Sequence, residues 1–159
     1  MTESGGLAPG PAPRPRPGTL RRVPAGEAIF QRFVRRASDQ RLERTIGSDR
    51  GLRFVFAQMA RAYRPDRAAG WTGDIRYELA RADGSLRTWT VTCGADGARA
   101  RAGGAPGPDL TIKLGVADFL RVAAGELDPA KALLSGRLDL EGDFAVAMRL
   151  AAMFGQDSP

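Results

Sequence analysis

The stretch 114–155, L-G-V-A-D-F-L-R-V-A-A-G-E-L-D-P-A-K-A-L-L-S-G-R-L-D-L-E-G-D-F-A-V-A-M-R-L-A-A-M-F-G, constrains the fold more than any other part of the chain. It carries a stop signal at each junction. Gly125, Gly136 and Gly155 each follow an apolar helical run, where a left-handed C-cap favours a residue without a Cβ. Asp128 and Pro129 stand where a helix wants its N-cap and its first helical residue. Residues 137–141 alternate with period two, which predicts a strand with Leu138 and Leu140 on one face. Gly142-Asp143 then opens a last helix. The order is helix, helix, strand, helix.

Between 144 and 154 only Arg149 is charged. Phe144, Val146, Met148, Leu150, Met153 and Phe154 do not form one narrow stripe. A helix that is apolar nearly all round is expected to be covered nearly all round. Each large apolar side chain left in water forgoes roughly 1.5–3 kcal/mol. A sheet covers one side. The other side is expected to meet helices, a partner chain or an apolar ligand.

Upstream, 27–46 reads as one helix with Ile29, Phe30, Phe33, Val34 and Ala37 on one face and Arg32, Arg35 and Arg36 on the other. A second helix starts near Ser48, its plausible N-cap. There Leu52, Val55, Phe56, Met59, Ala60 and Tyr63 fall at i, i+3, i+4, i+7, i+8 and i+11, a strongly amphipathic spacing, until Pro65 stops it. The period then changes to two. Ile75, Tyr77 and Leu79 alternate with polar neighbours, Asp83-Gly84 marks a hairpin, and Trp89, Val91 and Cys93 alternate with threonines. Asp96-Gly97 is a second turn before a weak strand near 98–102. Leu110, Ile112 and Leu114 mark a fourth strand, and Leu138–Leu140 the fifth. Clustered strands with helices at the ends predict an α+β domain, with a mostly antiparallel five-stranded sheet covered on one face.

Composition excludes several function classes. The 159 residues include no histidine and one cysteine. The commonest general base and metal ligand is therefore missing, the usual zinc sets cannot be assembled, and Ser-His-Asp or Cys-His catalysis is excluded. Cys93 cannot form an intrachain disulfide and is expected to face the core. The glycine-rich 103–108 loop lacks the Gly-Lys-Ser/Thr ending of a phosphate loop. No apolar run approaches the roughly 20 residues of a membrane span, so a cytoplasmic location is expected. Residues 1–26 are rich in Pro, Gly and Ala, with a P-x-x-P pattern, and are expected to be a disordered tail.

The net charge of +6 is unevenly placed. Residues 1–70 hold 14 basic against 6 acidic groups and residues 71–159 hold 10 against 12. The excess lies in the N-terminal part of the chain. There Arg50, Arg53, Arg61 and Arg64 are candidates for an anionic membrane surface, though a solvated helix face is the favoured reading. Asp74, Glu78, Asp139 and Glu141 fall on strand faces opposite the apolar set and read as solvated. Trp71 suits either a lipid-surface anchor or a plug at the end of the core.

The segments Asp118-Phe119-Leu120, Ala124-Gly125-Glu126-Leu127-Asp128-Pro129 through Ala132, Ser135-Gly136-Arg137-Leu138 and Glu141-Gly142-Asp143 resemble the sterol carrier protein type 2 domain family. The resemblance spans about 49–155, departing at Ala123 and Leu133-Leu134. It divides the chain into a tail (1–26), a basic amphipathic helix (27–48) outside the family's core, and a carrier-type domain (49–156). It implies no catalysis and no cofactor, and an apolar tunnel between sheet and helices that holds a sterol, fatty acyl chain or isoprenoid. The expected walls are Phe56, Met59, Trp89, Val91, Ile112, Phe119, Leu120, Leu133, Phe144, Met148 and Met153, though stripes at such spacing also suit an ordinary core.

Three roles remain open on the sequence. The first is lipid binding or transfer, with peripheral contact to an anionic membrane. The second is presentation of a hydrophobic intermediate to a biosynthetic enzyme partner of a quinone, isoprenoid or polyketide pathway. The third, nucleic-acid binding through the Arg-rich helices, is the least supported, because no aromatic-plus-glycine RNA motif accompanies them.

Overall fold

A computed structural model describes residues 25–155. The expected tail, including its Pro-rich pattern, lies almost wholly outside the described residues. Six helices, α1 (Ala25–Arg36), α2 (Asp39–Arg44), α3 (Asp49–Ala62), α4 (Val116–Ala123), α5 (Pro129–Leu134) and α6 (Phe144–Met153), accompany five strands. The strands are β1 (Gly73–Ala80), β2 (Leu86–Gly94), β3 (Gly97–Ala102), β4 (Leu110–Gly115) and β5 (Leu138–Gly142).

The strands form one sheet in the order β3-β2-β1-β4-β5. Each pairing is antiparallel except β1 with β4, which run parallel with Tyr77 opposite Ile112. The register gathers the period-two residues onto one face. Tyr77 lies between Trp89 and Ile112, Ile75 between Val91 and Leu110, and Leu140 beside Ile112. That inner face meets the helices through Phe56 of α3 and Phe119 of α4.

The outer face is polar and satisfied differently. Lys113 donates to Glu141 at 2.7 Å, and Arg76 lies 3.5 Å from Glu78. The more exposed of the two, Lys113–Glu141, contributes little stability by itself. The loop after β3 folds over part of this face: the Thr90 hydroxyl donates to the Gly103 carbonyl at 2.7 Å and accepts from Ala105 N–H at 3.0 Å. Buried Thr90 is thereby fully paired, as burial of a hydroxyl requires.

The local signals behave as their chemistry dictates. Ser48, Asp128 and Asp143 each cap a helix through a side-chain oxygen. Gly136 takes φ +76° just past α5, a conformation that costs an L-residue its Cβ clash. Gly142 has a second constraint besides its φ of +109°: an added Cβ would lie 2.3 Å from the Asp109 carbonyl oxygen. The strand thus leaves the sheet at a point where only glycine fits.

The single helix expected over 27–46 is two helices. Ala37 ends the first, and Ser38 starts the second by accepting a hydrogen bond from Arg41 N–H at 3.3 Å. A Ser-Asp pair inside an arginine-rich run offers the backbone an N-cap, and the chain uses it. The pair is docked on the rest of the domain: Val34 and Leu42 are buried, Arg35 bridges to Glu126 at 3.1 Å, and Arg121 pairs with Asp39.

The expectation that α6 is covered nearly all round is overturned. Val146 and Met153, seven residues apart, are buried against the core, with Ala147 and Leu150 partly so. The opposite side is open: Phe144 is 56% and Met148 81% exposed. A helix of this length packed on a sheet edge can turn only one face inward, and no other described element lies over the second.

Candidate functional site

Four aromatic rings occupy the centre of the space between sheet and helices. Phe56 stacks on Trp89 with centroids 4.7 Å apart and planes within 8°. Its other contact is with Phe119, at 4.9 Å and 16°. Tyr77 meets Phe56 edge-on at 5.3 Å and Phe119 at 5.7 Å. The rings come from α3, β2, α4 and β1, so the cluster ties the helical layer to the sheet. Each such pair adds about 0.5–1.5 kcal/mol beyond the area it buries.

Most of the expected wall residues converge here or on the core around it. Phe56, Trp89, Val91, Ile112, Phe119, Leu120 and Met153 are all buried, while Met59 and Leu133 are partly buried against them. Where the sequence reading placed a tunnel, the rings of Phe56, Trp89, Phe119 and Tyr77 touch one another. Phe144 and Met148 are corrected: they face solvent, because the buried face of α6 is set by Val146, Leu150 and Met153. Leu134 of α5, on the same flank of β5, is 88% exposed.

Two open grooves lie away from the ring cluster. One, about 390 Å³, runs along the outer sheet face beside Glu78, Lys113, Arg137 and Asp139. The other, about 360 Å³, lies on the N-terminal helices, with Ile29, Phe33 and Ala37 as floor and Arg32, Arg36 and Arg41 around it. Arg41 also sits 5.4 Å above the Phe33 ring, a cation–π contact.

The far end of the interior has a different chemistry. Tyr63, just past α3, packs its ring 5.4 Å from Phe154. The ends of α3 and α6 are tied there by Arg64 N–H donating to the Met153 carbonyl at 2.7 Å. Burial raises the Tyr63 and Tyr77 phenols above their ordinary range, and the nearby Cys93 thiol adds to both shifts. Cys93 itself is pushed up to about 12, by burial first and Asp74 second. All three groups are protonated at neutral pH. A thiol so held is a small apolar residue with little thiolate to react.

The four arginines named for a membrane surface differ in their surroundings. Arg50 and Arg61 are exposed with no carboxylate partner among the described residues, and Arg53, also exposed, acts electrostatically on Asp49. Arg64 differs, pairing with Asp66 at 3.3 Å. Sequence reasoning missed Phe54, which is 63% exposed between Arg50, Arg53 and Arg61 on the same helix. It falls off the apolar stripe, and that displacement was the available signal.

A five-stranded sheet with helices on its apolar face, an apolar core between them and an apolar final helix together define a class: an α+β domain with its core on one side of a mixed sheet. A sequence profile of the SCP-2 sterol transfer family matches residues 55–155, and the chain belongs to that family. A curated relative, non-specific lipid-transfer protein-like 1 of Caenorhabditis elegans, is 31% identical over 76 residues, which cover 48% of this chain and 64% of that protein. Among solved structures, sterol carrier protein 2 like 2 of Aedes aegypti superposes with a TM-score of 0.53 at 24% identity, covering 64% of this chain and 94% of that one. The sec-alkylsulfatase PisA1, as its S233Y F250G double mutant, gives 0.56 at 23% identity, covering 67% of this chain and 16% of the alkylsulfatase. At such identities the structural likenesses establish the fold, which the alkylsulfatase shares over one part of its length.

Proposed function

We propose that the chain binds one hydrophobic molecule, a sterol, fatty acyl or isoprenoid lipid, between its sheet and its helices, and transfers it without chemical change. The observation that carries this reading is α6. It has one charged residue, leaves Phe144 and Met148 in water, and covers the core through one face only. Displacing it exposes Val146, Leu150 and Met153 on one side and the β4–β5 inner face on the other. A lipid chain entering there would replace those contacts with its own, at about 0.8 kcal/mol for each methylene buried. The Phe56–Phe119–Trp89 stack then forms the chamber's end wall, and its rings set how deep a chain can reach.

The reading is non-catalytic. The chain has no histidine, and the interior's protic groups are held neutral. Membership of a sterol transfer family and the relative's name, lipid-transfer protein-like, support it. The α3 face offers a way to collect and deliver lipid from the cytoplasmic side of a membrane: the exposed guanidinium groups of Arg50, Arg53 and Arg61 around the exposed Phe54 ring suit an anionic bilayer surface. Among the described residues no helix is long and apolar enough to cross a membrane.

Titration with a fluorescent sterol, a fluorescent fatty acid and a prenyl alcohol tests the core of the proposal. Saturable binding with one site per chain by at least one of them is expected. No saturable binding by any lipid class would remove it. Binding to phosphatidylserine vesicles, weakened by Phe54→Ala and by added salt, is the expected membrane result.

A further inference from the structure

The Tyr63 hydroxyl is buried and has no hydrogen-bond partner among the described residues. Its residue is only 7% exposed. Native proteins leave few such groups, because an unsatisfied buried hydroxyl costs a large part of its hydration. The position is also shared: the Cys93 thiol, on the inner face of β2, lies within electrostatic reach of both the Tyr63 and the Tyr77 hydroxyls. Phe154 packs against the ring, and the backbone bond from Arg64 N–H to the Met153 carbonyl ties α3 to α6 at the next residue.

The charge inventory of the same space is as informative. The buried polar residues are Thr90 and Thr111 alone among those described. Both belong to the outer-face register: Thr90 is satisfied by the 103–105 loop, and Thr111 lies opposite Arg76 and Glu141. On the helix side the largely buried guanidinium of Arg81 sits at the N-terminal end of α3, donating to the Gly47 carbonyl at 2.7 Å and lying 3.5 Å from Asp49, while Tyr63 stands at the other end of that helix. A carboxylate or phosphate drawn in beside Tyr63 would lose its water with no buried counter-charge among the described residues to replace it.

We propose that the buried end of the ligand is a neutral hydrogen-bond acceptor, a hydroxyl, ketone or ester oxygen, seated on the Tyr63 hydroxyl beneath the C-terminal end of α6. This rests on the lipid-binding reading and narrows it. The chamber selects neutral amphiphiles whose polar group enters first, and an ionised fatty acid binds only with its carboxylate left outside. Tyr63 supplies the donor, Phe154 and Met153 cover the contact, and the neutral Cys93 and Tyr77 hold no charge against it.

The test is displacement of the neutral fluorophore 1-aminoanthracene by n-tridecane, 2-tridecanone and dodecanoate near pH 8, where the last is ionised. On the native chain the ketone binds about tenfold more tightly than the alkane, the equivalent of one hydrogen bond, and dodecanoate gains nothing over the alkane. The infrared carbonyl band of bound 2-tridecanone moves to lower frequency. Tyr63→Phe brings ketone and alkane within roughly twofold and returns the band to its unbonded position. The same substitution raises the denaturation midpoint of the lipid-free protein, because it removes an unpaired hydroxyl. A ketone preference or band shift that survives Tyr63→Phe, or dodecanoate binding as tightly as the ketone, overturns the assignment while leaving lipid binding intact. Failure of the ketone to displace the fluorophore while a sterol, fatty acid or prenyl alcohol binds saturably also overturns the assignment and leaves lipid binding intact; failure of every lipid class ends both readings.

Discussion

The ring cluster and the α5–α6 flank are built from the same kinds of residue and finish differently. At the cluster, Phe56 is fully buried between Trp89 and Phe119 and meets Tyr77 edge-on. On the flank, Leu134, Phe144 and Met148 stand largely in water while Val146 and Met153 hold the helix down. One region is a completed core. The other is an apolar surface with work left undone, since exposed large apolar groups on one helix are the mark of an interaction site when they are clustered. On the proposed function, the cluster holds the fold together and the flank is where ligand exchanges.

That division is open to direct attack. Phe56→Ala removes the ring common to three aromatic contacts and leaves a cavity, so it should destabilise by about 3–5 kcal/mol, read from urea unfolding. A loss under about 1 kcal/mol would mean the cluster is already loose. Asp143→Ala removes the cap that accepts from Ala145 and Val146 N–H at 2.9 and 3.3 Å. It should cost about 1 kcal/mol and, more tellingly, speed lipid exchange by loosening α6.

A smaller effect concerns acid. Arg87 donates to Asp49 at 2.8 Å and holds that carboxyl below its ordinary 3.8. A lowered folded value means the contact stabilises above the unfolded value and is lost as pH falls through the folded one. The slope of stability against pH below about 4 should therefore flatten in Asp49→Asn, with no change near neutrality. Smallest of all, Met148→Ser should leave the unfolding midpoint unchanged within about 0.5 kcal/mol, because the side chain has almost no contacts to lose. A marked destabilisation would show that this face is covered after all.

What the sequence made legible was what local chemistry decides. The caps at Ser48, Asp128 and Asp143, the left-handed glycine past each of α4, α5 and α6, and the period-two strands follow from backbone sterics and short-range hydrogen bonds. The family resemblance was legible for the same reason, since its glycines and proline are those punctuation marks. The faces of α6 were not, because a helix of nearly uniform polarity has no stripe to point inward. The break at Ser38 was hidden by the regular spacing of Ile29, Phe33 and Ala37 running into it. Tyr63 was counted among apolar residues because its spacing fits α3, and spacing says nothing about where a hydroxyl ends. Phe54 went unremarked because it lies off the stripe that defines that helix.

The most direct test of a chamber opened by α6 is native-state amide exchange, followed residue by residue with and without a saturating neutral lipid. The account predicts that α6 amides exchange well before those of β1, β2 and β4 in the lipid-free protein, and become protected when lipid binds. Exchange of α6 only together with the sheet, unchanged by lipid, would contradict it.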